Sequence, residues 1–259
     1  NATANGSGIV YFYAAFGGAV DHTSSGTFSM ASGSYTGTGQ YNTITGLAFA
    51  PDLIIIKSNS TSVAGVFRTK LMGGDSSAYL DSATANVAGA ITSLNSDGFT
   101  VYTSTSANAA GIIYHWQAFG GAWSPATNSG SSDFFIGAYY GNGIDNRNVV
   151  RLPFQADMVT VKRSGATGAT WRTSVHSGDI SSFYAATADA ANNIQTFNTD
   201  GFQVGTSANV NTAANVYFYF GFKSGTNFKV GSYTGNATDN RSITGLTFQP
   251  ELVWVKQST

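Results

Sequence analysis

GSYTGNATDNRSITGLTFQPELVWVKQS, residues 231–258, is the third occurrence of one phrase in this chain. The phrase stands as GSYTGTGQYNTITGLAFAPDLIIIKS at 33–58 and as GAYYGNGIDNRNVVRLPFQADMVTVKRS at 137–164. Tyr35, Tyr139 and Tyr233 hold equivalent places roughly a hundred residues apart, a period too long for a solenoid coil and long enough for a domain. Within the phrase, a polar Gly/Asn/Thr loop leads to Ile44–Phe49, whose alternation of apolar with small or polar residues predicts a half-buried strand. Pro51 is expected to break the pairing, because it has no N–H to donate. Leu53–Lys57, Met158–Lys162 and Leu252–Lys256 are rich in β-branched or apolar residues and predict the central strand of each core.

Outward from the phrase, the first two copies run in parallel. Phe67-Arg68-Thr69 matches Trp171-Arg172-Thr173, and Asn95-Ser96-Asp97-Gly98-Phe99 matches Asn198-Thr199-Asp200-Gly201-Phe202, a turn followed by a strand. Each copy ends on an aromatic closing strand, Ile112–Phe119 and Val216–Phe222. Val10–Phe16 is a third closing strand with no opening before it, and the stretch from Gly231 is an opening with no closing. The expected organisation is therefore 1–26 as the closing part of a repeat, 27–123 and 131–225 as full repeats, and 228–259 as an opening part. The fold class expected is all-β: tandem antiparallel β-sandwiches, jelly-roll or Ig-like in outline. Only Ala185–Asn193 suggests a helical turn. The two partial repeats are expected to pair with each other or to add strands to a neighbouring chain.

Composition narrows the function. Of 259 residues, 42% are apolar and 10% charged, against about 25% charged in an average soluble domain, so neutral hydroxyl and amide groups cover the surface. A net charge of −1 gives no electrostatic attraction to phosphate backbones, which argues against nucleic acid as a partner. No cysteine is present, which removes disulfides, thiolate metal sites and cysteine nucleophiles together. No apolar run approaches the ~20 residues of a membrane-crossing helix.

The chemistry-bearing residues have architectural readings that outweigh the functional ones. Asp52, Asp157 and Glu251 share one repeat position, and a glycosidase would need two such acids about 5–10 Å apart. Each directly precedes the central strand, where a carboxylate accepts backbone N–H groups, and Asp97 and Asp200 read the same way before Gly-Phe. Lys57, Lys162 and Lys256 end that strand and are expected to be solvated; Arg68 and Arg172 are expected to form structural ion pairs. His22, His115 and His176 lie in unrelated contexts without metal-binding spacing. In a serine-rich chain a Ser-His-Asp triad stays open, although no Gly-x-Ser-x-Gly elbow occurs. Gly141–Asn146 and Gly235–Asn240 carry oxygens that calcium accepts but read more simply as tight turns, so neither a metal nor a cofactor is expected.

Aromatic pairs on one face of the closing strands, Tyr11/Tyr13, Tyr114/Trp116 and Tyr217/Tyr219, together with Trp254, are the candidates for an interface or a glycan platform. Burial between modules is favoured over stacking on sugar rings.

The order GSYTGN, ITGLTFQPELVWVK, an aromatic-Arg segment, a DGF turn and an aromatic closing strand resembles a repeat of predicted bacteriophage tail and tail-fibre structural proteins, of the type YTGNG…GLGF-x-PDLVWIK. The likeness is strongest at 231–256 and weakest at 137–162, where Arg151-Leu152-Pro153-Phe154 replaces GLGF. It implies a lectin-like β-sandwich on a virion or extracellular surface, non-enzymatic, whose partners are copies of itself or other subunits of the same assembly. The alternative is a carbohydrate-binding adhesin or receptor-binding module. A polysaccharide hydrolase is the weakest of the three.

Overall fold

The computed structural model describes residues 2–17, 28–60, 62–123 and 129–258, so His22 and the expected boundary at 26/27 lie outside the described residues. A helical turn, α1 (Ala2–Asn5), precedes strand β1 (Val10–Gly17). Then follow β2 (Ser29–Thr36), β3 (Asn42–Thr45), β4 (Pro51–Ser58), β5 (Val66–Thr69), β6 (Ala78–Tyr79), β7 (Ile91–Asn95) and β8 (Gly98–Val101). A second turn, α2 (Thr105–Asn108), leads into β9 (Ile113–Gly120). The next strands are β10 (Phe134–Tyr140), β11 (Arg147–Val150), β12 (Met158–Arg163), β13 (Thr170–Thr173) and β14 (Ser182–Phe183). The chain continues through β15 (Ile194–Asn198), β16 (Gly201–Val204), β17 (Val216–Phe222), β18 (Phe228–Thr234) and β19 (Pro250–Gln257).

The fold is all-β, and every pairing between named strands is antiparallel. The strands sort by hydrogen bonding into three units. Unit I has a five-stranded sheet, β2-β9-β4-β5-β6, and a three-stranded sheet, β3-β8-β7; unit II has β10-β17-β12-β13-β14 and β11-β16-β15. Unit III is a single sheet, β18-β1-β19, in which the two ends of the chain are paired with each other. In every unit the aromatic closing strand lies between an opening strand and the β-branched strand; β4 and β12 are the middle strands of the five-stranded sheets, and β1 is the middle strand of unit III.

The closing strands of units I and II pack on both faces over most of their length, with His115 near the start of β9 left exposed. One face looks toward its own three-stranded sheet: Tyr114 and Ile54 share a core with Phe99 and Val101, and Tyr217 and Val159 share one with Phe202 and Val204. The other face looks toward a core common to all three units. There Phe16, Phe119 and Phe222 form a triangle with ring centroids 5.3, 4.8 and 5.1 Å apart, ringed by Met30, Phe134 and Phe228. Burying a phenylalanine contributes roughly 1.5–3 kcal/mol, so this shared cluster is a major term in docking the units.

Three local expectations are corrected. Ile44–Phe49 is not one strand: β3 ends at Thr45, because Gly46 (φ 90°) and Ala48 (φ 62°) turn the backbone left-handed. Pro51 does not break the pairing but starts β4, opposite Gly120 at a register shift, a strand-start place where its missing N–H is tolerated. Ala185–Asn193 contains no helix, and the helical turns fall at Ala2–Asn5 and Thr105–Asn108 instead.

Candidate functional site

A groove of about 420 Å³ opens where unit III meets unit I. Strands β2, β4 and β9 supply Ser32, Ser34, Lys57, His115, Trp116 and Gln117, and β19 supplies Glu251, Leu252 and Trp254. His115 and Lys57 are exposed, Gln117 is buried, and the Ser32 hydroxyl donates to Glu251 Oε2 at 3.0 Å. Glu251 is the single carboxylate of the lining, so the groove holds no pair of acids for glycoside hydrolysis. Its chemistry is hydrogen bonding by neutral groups beside one cation and one anion.

The other members of the recurrent acidic position are architectural. Asp52 accepts the Ala122 N–H at 2.7 Å and pairs with the Lys70 ammonium at 2.5 Å. Asp157 accepts the Ser174 hydroxyl at 2.7 Å and the Ser224 N–H at 2.8 Å. Asp97 clamps the neighbouring loop by accepting the N–H groups of Gly46 and Ala48.

Arg68 and Arg172 are not the ion pairs expected from sequence. Arg68 donates to the carbonyls of Met72, Gly74 and Ser76, and Arg172 donates at the same offsets to those of His176, Gly178 and Ile180. Each guanidinium holds a loop by filling it with donors, and burial lowers both pKa values.

Among the lysines, Lys162 is fully buried rather than solvated. Its ammonium donates to the carbonyls of Thr84, Arg163 and Gly165, and burial lowers its pKa to about 8. Lys57 is exposed, and Lys256 is intermediate.

Among the described residues, histidine, serine and aspartate meet once, in an order unsuited to nucleophilic catalysis. His176 Nδ1 accepts the Thr173 N–H at 3.2 Å, which leaves Nε2 facing Ser182 Oγ at 3.0 Å. Ser182 in turn donates to Asp189 Oδ1 at 2.7 Å. A base would need the aspartate behind the histidine. Here the carboxylate holds the serine, and Ser182 is fully buried. Burial and the Arg172 charge lower the His176 pKa to about 3.

The aromatic candidates divide by face. Tyr11, Tyr114 and Tyr217 are fully buried, and each hydroxyl accepts a backbone N–H from the segment just before its own strand: Gly6, Ala109 and Thr212. Each also stacks on the tyrosine of the repeated phrase, at 5.2–5.4 Å. Trp116 and Tyr219 lie over Gly33 and Gly137 and meet Phe99 and Phe202 edge-on. Tyr13 lies over Gly231 and is half-buried. The tyrosine row therefore belongs to the interior of each unit. It is the opposite row, Phe12, Phe16, Phe119, Phe218 and Phe222, with Trp254, that joins units.

Asn5, Asn108 and Asn211 escaped the sequence reading. Each side-chain oxygen accepts the N–H of the residue after the phrase's second glycine: Asn236, Thr38 and Asn142. The signal was available, since an asparagine stands six residues before the first tyrosine of every closing strand. The calcium reading of Gly141–Asn146 and Gly235–Asn240 gains no ligand cluster: Asp145 and Asp239 each accept the next residue's N–H, at 2.9 Å. Among the described residues no group of three or more His, Asp or Glu side chains is placed to hold a metal, and no helix is long and apolar enough to cross a membrane.

Residues 24–133 match the model of a family described as Domain of unknown function (DUF7483). That stretch is similar to the family and holds the whole of unit I. No curated protein and no solved structure matches the chain.

Proposed function

We propose that this protein is a non-enzymatic structural building block, with tandem β-sandwich repeats at 27–123 and 131–225 and a partial one made from 1–26 and 228–259, working by self-association in a virion appendage or an extracellular filament. The observation that carries this reading is the use made of the reactive side chains. Arg68, Arg172, Lys162, Asp52, Asp97, Asp157 and His176 all hold backbone or neighbouring side chains in place. The resemblance of the repeated phrase to tail and tail-fibre proteins supports the setting, and the sparse charge suits extensive contact surfaces. Sedimentation velocity and electron microscopy over a concentration series test it. Defined oligomers or filaments are expected, and a monodisperse monomer at high concentration would overturn the reading.

A second reading, glycan binding, is favoured by one observation: Lys57, His115, Gln117 and Glu251 converge on the groove between units I and III. Glycan-array binding lost in Glu251→Gln and Lys57→Ala, with the fold intact, would promote it. Trp116→Ala is a poor probe, because that ring packs inside unit I.

A further inference from the structure

The outer side of the three-stranded sheet of unit I ends in two rings that the fold does not bury. Tyr41 is 68% exposed and Tyr102 is 44% exposed, and they meet edge to face at 6.2 Å and 64°. The register sets them side by side. Asn42, the first residue of β3, stands opposite Val101, the last of β8, so the adjoining position on each strand is a tyrosine. Among the described residues neither ring meets a third. Asn108, fully buried, fixes the backbone under both: its side-chain amide donates to the carbonyl of Gln40 and, at 2.7 Å, to that of Tyr102. A corner held in this way is pre-organised, which lowers the cost of ordering it around a ligand.

Unit II shows that the frame does not need the pair. With Arg147 of β11 opposite Val204 of β16, the places of Tyr41 and Tyr102 fall to Asn146 and Gly205. Asn192 fills that corner, its Oδ1 standing 2.0 Å from where a Cβ on Gly205 would be. Asn211, the counterpart of Asn108, holds the same loop with no ring above it. In unit I the rings lead into a polar row. Side chains alternate along a strand, so Thr43, Thr45 and Thr100 share the side of the sheet that carries Tyr41 and Tyr102. Thr43 Oγ1 and Thr100 Oγ1 lie 3.2 Å apart, Asn95 Nδ2 donates to Thr100 Oγ1 at 3.0 Å, and Ser93 Oγ donates to Asn95 Oδ1 at 2.9 Å. Thr43 and Thr45 are exposed, and no side chain of the row carries a charge.

Size and charge choose the occupant. Five strand residues by three strands cover about 13 Å by 10 Å, on the order of 150 Å². A stable protein partner takes about 800 Å² from each side, far more than this strip offers. With no cation on the row, neither a phosphate backbone nor an acidic sugar finds a counter-charge there. A neutral sugar fits both parts: its C–H face covers an aromatic ring, and its hydroxyls replace water on threonine and asparagine groups. We propose that this face of unit I binds a neutral oligosaccharide, one sugar ring seated in the angle between Tyr41 and Tyr102 and the next lying along Thr43, Asn95 and Thr45. The proposal rests on the glycan-binding reading above and deepens it, but takes the ligand away from the groove between units I and III.

The test is calorimetric titration of the intact chain with maltohexaose, cellohexaose and chitohexaose, and with dextran sulfate as the acidic control. Saturable binding of at least one neutral sugar is expected, with none of the sulfated polymer. The double variant Tyr41→Ala, Tyr102→Ala should bind about tenfold more weakly or worse, at an unchanged urea midpoint because both rings are exposed. The groove variant Glu251→Gln, Lys57→Ala should bind as the parent does. Sugar binding that survives the tyrosine variant and is lost in the groove variant would overturn this site and keep the glycan-binding reading. No binding of any neutral sugar would overturn both. Preference for dextran sulfate would overturn the proposal, and so would a tyrosine variant that loses self-association while keeping its affinity for sugar.

Discussion

At position 151 an arginine holds a backbone conformation that the two other copies of the phrase give to glycine. Its φ is 84°, against 90° at Gly46 and 92° at Gly245. A side chain with Cβ pays roughly 1–2 kcal/mol in the left-handed region, whereas glycine's greater freedom in the unfolded chain costs about 0.5–1 kcal/mol. The residue is exposed, and at 46 and 245 a Cβ would meet no atom within 4 Å, so the conformation rather than crowding sets the sign. Arg151→Gly is therefore expected to stabilise the fold by about 0.5–1 kcal/mol, read as a higher urea midpoint with unchanged slope. A lower midpoint would mean that the arginine side chain contributes more than its backbone costs. The anomaly was visible in the sequence as Arg-Leu-Pro-Phe in place of Gly-Leu-x-Phe, but its meaning waited on the dihedral angle.

The element that organises each unit is the pair of opening and closing strands, and a glycine sets how closely they pack. A Cβ on Gly137 would stand 2.0 Å from Tyr219 Cζ, and the same clash recurs between Gly33 and Trp116 and between Gly231 and Tyr13. The aromatic ring lies across the strand where the glycine leaves room, a cross-strand contact that also pins the register. Strand propensity alone would have Gly137→Ala gain stability. The packing predicts the opposite, a loss of about 1–3 kcal/mol in chemical denaturation. The existence and pairing type of these strands were legible from their alternation and turn residues. The ends were not: Gly46 read as the interior of a strand and Pro51 as a breaker, yet β3 ends before Gly46 and β4 begins at Pro51, opposite Gly120.

At the scale of the molecule, His176 joins units II and III through its stack on Phe12. Folding keeps its imidazole neutral, with the pKa lowered from 6.5 to about 3 by burial and by Arg172. Between those values the unfolded chain binds a proton that the folded chain does not. The stability due to the neutral ring is thus complete above pH 6.5 and is lost as the pH falls toward 3, by at most about 1.4 kcal/mol per unit. His176→Met, which installs the residue that unit I carries at Met72, should remove that part of the acid sensitivity. Urea midpoints of both proteins at pH 4 and pH 7 measure it, and equal pH slopes would show that the histidine does not govern the junction.

The sequence by itself determined the all-β class, the three phrases with their closing strands, and the turn-holding place of Asp52, Asp97 and Asp157. These depend on periodicity, turn chemistry and neighbours in the chain, which are local. Only the tertiary structure decided which face of each closing strand faces outward from its unit. A two-residue period makes both faces of an aromatic strand look alike, and the choice of the phenylalanine row for the shared core is settled by what packs against it. The same holds for the pairing of the first and last strands around β1. The partial repeats at the two ends announced in the sequence that each needed strands; which strands they take depends on contacts between residues more than two hundred positions apart, which only the folded chain brings together.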